Sequence, residues 1–418
     1  MLRQKSATVI NPRDSVVSLC GVIAGQLAMF LCVYLLGHWR GPGTLGRFNY
    51  WLAIGSFISS ILAFRYELAC IDDQPADSFN AFISASVLAV IVVLASLTVT
   101  YLVGHPEYYL VEVLSLASFI QMAASLYYNS LRWYGKIALS RTAINALFVG
   151  FLLLDHFRAQ SDGSDPFVWY TGITSGVALV MVISIVRSGR KEGFSFRLSK
   201  RFYVDNRRFA IYILPSTLCA SVMNSALSIV IPRWYGVESA GYFAAAYRLG
   251  FFPVSLVGQS LGGVFRRDAI AALSEANPSM ELRRVYATYA RTLAVLGALY
   301  ALGGGLLFGP LVRLSFGSNW QETIELFYRL IPLFTLQLIF LPLGQVFLAT
   351  RAQRTDFLFQ FTSCVGSLAT LYLTKMAGLP VQGSVQAFSL SGAVLMVLGI
   401  VLTYRASHDN RALSSEEA

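Results

Sequence analysis

The stretch from Ile231 to Asp268, IPRWYGVESAGYFAAAYRLGFFPVSLVGQSLGGVFRRD, places an arginine near the middle of a hydrophobic run long enough to cross a bilayer. A central Arg costs about 2.5 to 3.5 kcal/mol on insertion scales, so Arg248 needs a hydrated cavity, a partner or an interface to snorkel to. Its planar fork of permanently charged donors suits phosphate or carboxylate. Arg65, Arg132 and Arg141 lie at span ends on the side assigned below to the cytoplasm, and add to a basic lining. Asn224 and Gln259, like Gln121 and Asn129, put amides within apolar runs. Each amide has two readings, a hydrogen bond to a sugar hydroxyl or a bond between helices. Pro253, with Gly250 and Gly258 beside it, marks a bend in the span that carries Arg248. Glu67 stands two residues from Arg65, close enough to pair with it as an inner gate. Taken together, Arg248, Arg65, Arg132, Arg141, Asn224 and Gln259 are the candidate substrate-binding residues. Glu67, Pro253, Gly250 and Gly258 are the candidate gate and hinge.

Little else is equipped for chemistry. His38, His105, His156 and His408 are scattered with no metal-ligand spacing. No Gly-rich phosphate loop precedes a Lys and a Ser or Thr, which argues against ATP-driven transport by this chain. Asp72, Asp73 and Asp77 in ELACIDDQPAD form the one acidic cluster. A divalent metal with a diphosphate substrate is one reading of it. A solvated turn ahead of a helix, with Asp77 and Ser78 near the cap, is the other. The five cysteines suggest neither a disulfide framework nor a metal site. We therefore expect no catalytic residue, no metal and no resident cofactor, with coupling to H⁺ or Na⁺ left open. Carboxylates avoid the span centres: Glu67 and Glu112 lie near span ends, Asp14 and Asp155 at margins. A cation-coupled exporter of small molecules needs an embedded carboxylate. An embedded Arg without one points to an anionic cargo.

These residues must be positioned by a membrane bundle. Only 13% of the 418 residues are charged and 56% are hydrophobic, against about 25% charged in soluble proteins. Twelve apolar segments recur, at about 15–37, 44–64, 80–103, 109–130, 138–156, 167–187, 209–231, 241–264, 287–309, 324–348, 357–377 and 382–404. With the N-terminal tail inside, 24 Lys and Arg fall on the inner side and 7 on the outer, so both termini are expected in the cytoplasm. The net charge of +10 is thereby explained by topology, without nucleic acid. The basic run Arg187 to Arg208 either contacts anionic headgroups or only fixes topology. SMELRRVYATYAR reads as an amphipathic helix on the membrane surface.

Trp39, Gly41, Gly46 and Phe48 recur as Trp234, Gly236, Gly241 and Phe243, and Gly55 as Gly250, all at an offset of 195. This is a weak internal repeat, a recurring plan among transporters. The expected division is an N-terminal six-helix lobe at 1–190, a basic cytoplasmic linker at 191–208, a C-terminal six-helix lobe at 209–404 and a polar tail at 405–418.

FRYELA (Phe64 to Ala69) and YGVESAGYFAAAYRLGFFPVSLVGQSLGGVFRRDA resemble the polysaccharide-biosynthesis flippases, the Wzx-type branch of the multidrug/oligosaccharidyl-lipid/polysaccharide (MOP) exporter superfamily. Gly241, Tyr242, Arg248, Leu249, Pro253, Gly258 and Phe265 follow the pattern of that branch. After RYELA this chain has CIDDQPAD where many relatives have an apolar segment and a Pro. The resemblance implies an all-α polytopic fold of about twelve spans in two pseudo-repeated six-helix lobes, MATE/MurJ-like, around a central cavity. It implies a bacterial inner-membrane transporter, not an enzyme, moving undecaprenyl-diphosphate-linked oligosaccharide to the periplasmic leaflet. Partners would be that lipid, the phospholipid membrane and other assembly proteins such as a polymerase or chain-length regulator. The competing readings are a cation-coupled small-molecule exporter and a glycosyltransferase or polymerase acting on the same carrier.

Overall fold

The computed structural model describes residues 12–408 apart from 72–73, 158–164, 195, 197–198, 276 and 351. Asp72 and Asp73 thus lie outside the described residues. The described chain is helical, in the order α1 (Pro12–Ile61), α2 (Pro75–Val103), α3 (Tyr109–Ser130), α4 (Tyr134–Phe157), α5 (Pro166–Lys191), α6 (Lys200–Asp205), α7 (Leu214–Tyr235), α8 (Val237–Leu273), α9 (Pro278–Phe316), α10 (Gln321–Leu343), α11 (Val346–Ala349), α12 (Gln353–Met376) and α13 (Val381–His408). Among the described residues, nine helical stretches are long and apolar enough to span a membrane. The protein is a multi-pass membrane protein. The twelve expected segments fall on the helices α1 to α13, two of them sharing α1 and the tenth running over α10 and α11, while α1 and α8 are not among those nine stretches.

That sharing has a local cause. Gly41 interrupts α1 with φ 79° and ψ 174°, a backbone state open essentially to glycine alone, and Pro42 follows. Gly236, at the offset of 195, separates α7 from α8 with φ 93° and ψ 163°. The repeat seen in the sequence is therefore a repeat of backbone conformation. No atom lies within 4 Å of a Cβ built on either glycine, so the cost of substitution there is backbone strain alone. We expect Gly236→Ala to lower stability by about 1–3 kcal/mol, read as a fall in the melting temperature of the detergent-purified protein. An unchanged melting temperature would remove the strain argument.

The chain divides into two compact units, Met1–Cys32 with Ile54–Pro215, and Val33–Ala53 with Ser216–Ala418. This differs from the expected boundaries in two ways. The stretch 33–53 joins the second unit, because Gly46 and Gly241 let its backbone and that of α8 touch: a Cβ on Gly46 would stand 1.9 Å from the Val237 carbonyl oxygen, and one on Gly241 1.8 Å from that of Pro42. The expected linker at 191–208 belongs to the first unit. Its residues are tied there by Tyr66, whose hydroxyl donates to the Tyr203 carbonyl at 3.3 Å, and by Tyr203, whose hydroxyl donates to the Ser84 carbonyl at 3.0 Å. Arg187, Arg190 and Lys191 are the last turns of α5, where cations complement the helix C-terminus.

In the first unit α3 packs against α2 and α5, around a core that includes Phe82, Phe119, Tyr127 and Ile185. In the second, α10 is central, packed by α8, α9 and α13. The expected surface helix at SMELRRVYATYAR is corrected: those residues are the opening turns of the continuous α9. Leu282 and Tyr286 are buried, and the Tyr286 hydroxyl lies 2.9 Å from that of Thr403 on α13. The apolar face that suggested a membrane surface is covered by a neighbouring helix.

Candidate functional site

Arg248 sits on α8, half-buried, five residues before Pro253. Its Nε and Nη2 both donate to Asn49 Oδ1, at 2.9 and 2.8 Å. Asn49 comes from the second half of α1, is 5% exposed, and lies 199 residues away in sequence. Both residues belong to the second unit. The acceptor in these two bonds is a neutral amide oxygen, which orients the guanidinium fork. Pro253 has no N–H, which removes one intrahelical bond to the preceding turn. The Tyr300 hydroxyl on α9 donates to the Gly250 carbonyl at 2.8 Å, in the turn that the proline interrupts. Gly250 itself is buried against Phe327 and Phe334 of α10. Gly258 lies against Leu341, whose Cβ would be 3.3 Å from an added Cβ. Both glycines thus serve close packing on α10.

Asn224 lines a cavity of about 20 Å³ in the second unit, with Ser228, Tyr247, Gln337 and Ser367. That space holds about one water. Gln337 Oε1 and Ser367 Oγ are buried there without a hydrogen-bond partner among the described residues. A buried polar atom of this kind favours a hydrated pocket. Gln259 is exposed on α8, eleven residues beyond Arg248 and outside this cavity's lining. Gln121 donates to the Thr174 carbonyl at 2.9 Å, the interhelical reading of its amide.

The inner-side arginines fall in the first unit and divide in role. Arg65 Nη1 pairs with Glu67 Oε1 at 2.9 Å, and their side chains are 17% and 1% exposed. Phe64 and Arg65 take φ of 51° and 68°, and Arg132 of 58°, the three non-glycine residues with positive φ among those described. Each such residue stores about 1–3 kcal/mol, which surrounding structure must hold in place. Arg65 is therefore a fixed, half-buried partner of the buried Glu67. Arg132 and Arg141 are exposed. Ser78 lies in the opening turn of α2, near the cap as expected, and is also buried at 0% exposure and ties three segments together. Its hydroxyl donates to the Cys70 carbonyl at 2.5 Å and meets that of Ser130 at 2.9 Å. Asp77 lies in the first turn of α2, whose cap is Gln74.

Burial raises the Glu67 carboxyl above the ordinary carboxylate range, while the Arg65 guanidinium pulls it down. With the folded value above the unfolded one, the unfolded chain ionises first. Stability is then complete below an unfolded value of about 4.3 and falls as pH rises through the folded value. We expect the melting temperature of the native protein to drop relative to Glu67→Gln as pH rises from about 4 to about 7. A difference that stays flat across that range would show that the ion pair fully offsets burial.

One sequence-based expectation is overturned. The sequence suggests no buried carboxylate, but Glu112, near a span end as expected in the first turn of α3, is only 5% exposed. Ser96 and Thr100 of α2 bond it. Asn49 and Glu112 are both legible as polar residues in apolar runs, but their partners are not. Among the described residues, no group of three His, Cys, Asp or Glu is placed to hold a metal ion.

The profile of a family described as polysaccharide biosynthesis protein matches residues 71–325, more than half of the chain. The chain belongs to that family. Its fold is similar to an inward-facing multidrug resistance MATE transporter of the MOP superfamily, at 14% identity and a TM-score of 0.68 over 97% of this chain and 100% of that one. It is also similar to the lipid II flippase MurJ in an inward closed conformation, at 13% identity and a TM-score of 0.60 over 94% and 88%. A third likeness is a MOP transporter from Pyrococcus furiosus described as having a binding pocket of reversed polarity, at 14% identity and a TM-score of 0.61 over 96% of each chain. No curated protein sequence matches the chain.

Proposed function

We propose that this chain moves an undecaprenyl-diphosphate-linked oligosaccharide from the cytoplasmic to the periplasmic leaflet of a bacterial inner membrane, by alternating access and without a catalytic step. Membership of a polysaccharide biosynthesis family supports a glycan cargo. The observation that carries the reading is Arg248, a permanent cation within an apolar helix, whose guanidinium fork is oriented by the amide oxygen of Asn49. Such a fork offers bidentate hydrogen bonds to a diphosphate. Asn224 would offer its amide to a sugar hydroxyl, Arg132 and Arg141 would attract the headgroup at the cytoplasmic side, and the Arg65–Glu67 pair would act as a gate element. Gln259, exposed on α8, would offer a further amide to the glycan. Pro253, with its neighbouring glycines, would be the hinge. A polymerase and a chain-length regulator are the assembly partners that this cargo implies.

Glu112 favours a second reading, a cation-coupled exporter of small molecules, because it supplies an embedded carboxylate. Proteoliposomes holding a fluorescent prenyl-diphosphate oligosaccharide separate the two. Movement by the native chain and its loss in Arg248→Ala support the flippase. Export of a cationic dye with no movement of the lipid would assign the exporter.

A further inference from the structure

The outward face of α5 is graded in polarity toward its basic end. A cavity of about 520 Å³ is lined there by Val180, Ile183, Ser184, Arg187, Ser188 and Lys191. Spacings of three and four residues put all six side chains on one face of the helix. They follow a fixed order: two exposed aliphatic residues, then a serine and an exposed arginine, then a serine and an exposed lysine. At about 1.5 Å per residue, Val180 and Lys191 stand about 16 Å apart, close to the hydrocarbon depth of one leaflet. The opposite face of α5 is fixed. Met181 and Ile185 belong to the buried core of the first unit, and a Cβ on Gly189 would stand 2.5 Å from the Phe79 ring. A roll of α5 that turned the graded face inward would break this packing.

We propose that this face of α5 is a binding site for one anionic phospholipid of the membrane, an assignment that does not depend on the transport reading above. Arg187 and Lys191 take the phosphate, Ser184 and Ser188 offer hydroxyls to phosphate or ester oxygens, and Val180 and Ile183 take the start of an acyl chain. Among the described residues, no ion pair involves either cation. The last carbonyls of α5, which would repel an anion, are occupied. Those of Ser188, Gly189 and Arg190 accept from the N–H groups of Glu192, Phe194 and Gly193 at 3.1, 2.9 and 3.2 Å. Glu192 caps the helix and lies outside the lining. Basic pockets at span ends suit anionic headgroups. The volume falls in the range of about 300–1,000 Å³ that small-molecule sites occupy, more than a free phosphate fills. The lining holds no amide and no aromatic ring that could read a sugar, which favours a simple phospholipid over a glycan carrier.

The full-length protein in detergent, titrated with phosphatidylglycerol or phosphatidylcholine and followed by native mass spectrometry, tests this. One phosphatidylglycerol should stay bound at concentrations where phosphatidylcholine does not. Arg187→Gln and Lys191→Gln should each raise its Kd about fivefold and the double variant about thirtyfold, the scale of one and two cations beside an anionic headgroup. Arg190→Gln removes the same charge from the same end of α5, but from outside the lining, and should change Kd by less than about twofold. All three side chains are exposed, so the variants keep the fold. Equal losses in Arg190→Gln and Arg187→Gln would reduce the effect to diffuse attraction toward a basic helix end and overturn the site. Equal binding of the two lipids would overturn it as well. A prenyl diphosphate that displaces phosphatidylglycerol at an equal or lower concentration would give the face to the cargo headgroup and overturn the choice of a phospholipid. Inorganic phosphate that does the same would overturn the part assigned to the acyl chain.

Discussion

Arg248→Ala should reduce movement of a prenyl-diphosphate oligosaccharide to below about a tenth of the native rate. A hydrogen bond to a charged group is worth about 1.5–3 kcal/mol, and about 1.4 kcal/mol is tenfold. The same change leaves Asn49 Oδ1, 5% exposed, without either of its two guanidinium donors. An unpaired buried acceptor costs about 1–3 kcal/mol, so some loss of stability accompanies the loss of transport. Two further variants keep these effects apart. Arg248→Lys retains the charge but loses the planar fork, and should fold normally while moving the lipid poorly. Asn49→Ala retains the guanidinium but frees its orientation, and should weaken transport less than Arg248→Ala does. A native-like rate in Arg248→Ala, with the protein present in the membrane, would end the assignment of the diphosphate to this residue.

Gly46→Ala should destabilise the second unit more than Gly236→Ala does, because it adds a steric clash where the other adds only strain. The new Cβ would stand 1.9 Å from the Val237 carbonyl oxygen and 2.7 Å from the Gly241 nitrogen. Those atoms are backbone, so no side-chain rotation relieves the clash, and α8 must move away from the second half of α1. Overpacking of this kind costs about 1–3 kcal/mol, occasionally more. Gly241→Ala meets the Pro42 carbonyl oxygen at 1.8 Å and should cost as much. Because both glycines serve one contact, the double variant should lose less than the sum of the two singles. Melting temperatures of the native protein, the two singles and the double in detergent check this. Strict additivity would mean that the two sites do not share an interface, and an unchanged melting temperature in either single variant would deny the close approach itself. Separation of these segments also pulls Asn49 from Arg248, so Gly46→Ala should lower transport in proportion.

Residues such as Trp39, Gly41, Gly46 and their counterparts at 234, 236 and 241 make the repeat legible, since a glycine required by backbone conformation is retained in the sequence wherever that conformation recurs. Helix positions are equally legible, because a bilayer demands about 20 apolar residues in every span. The surface helix expected over SMELRRVYATYAR is a misreading of the same signal: amphipathicity records that one face is covered, not by what. Lipid and a neighbouring helix leave the same pattern, and here α13 covers Tyr286.

The sequence by itself determined the class of protein, its spans, the repeated glycines and the presence of a charge that a membrane tolerates only for a reason. Only the tertiary structure decided what each polar group is paired with. Arg248 and Asn49 are 199 residues apart, and Glu112 meets two hydroxyls on another helix. Arg65, grouped by type with Arg132 and Arg141, proved to be a half-buried partner of the buried Glu67 while the other two are exposed. Hydropathy is a property of each segment alone and can be read locally. A hydrogen bond between helices depends on their rotation and register against each other, and those are set by packing across the whole unit.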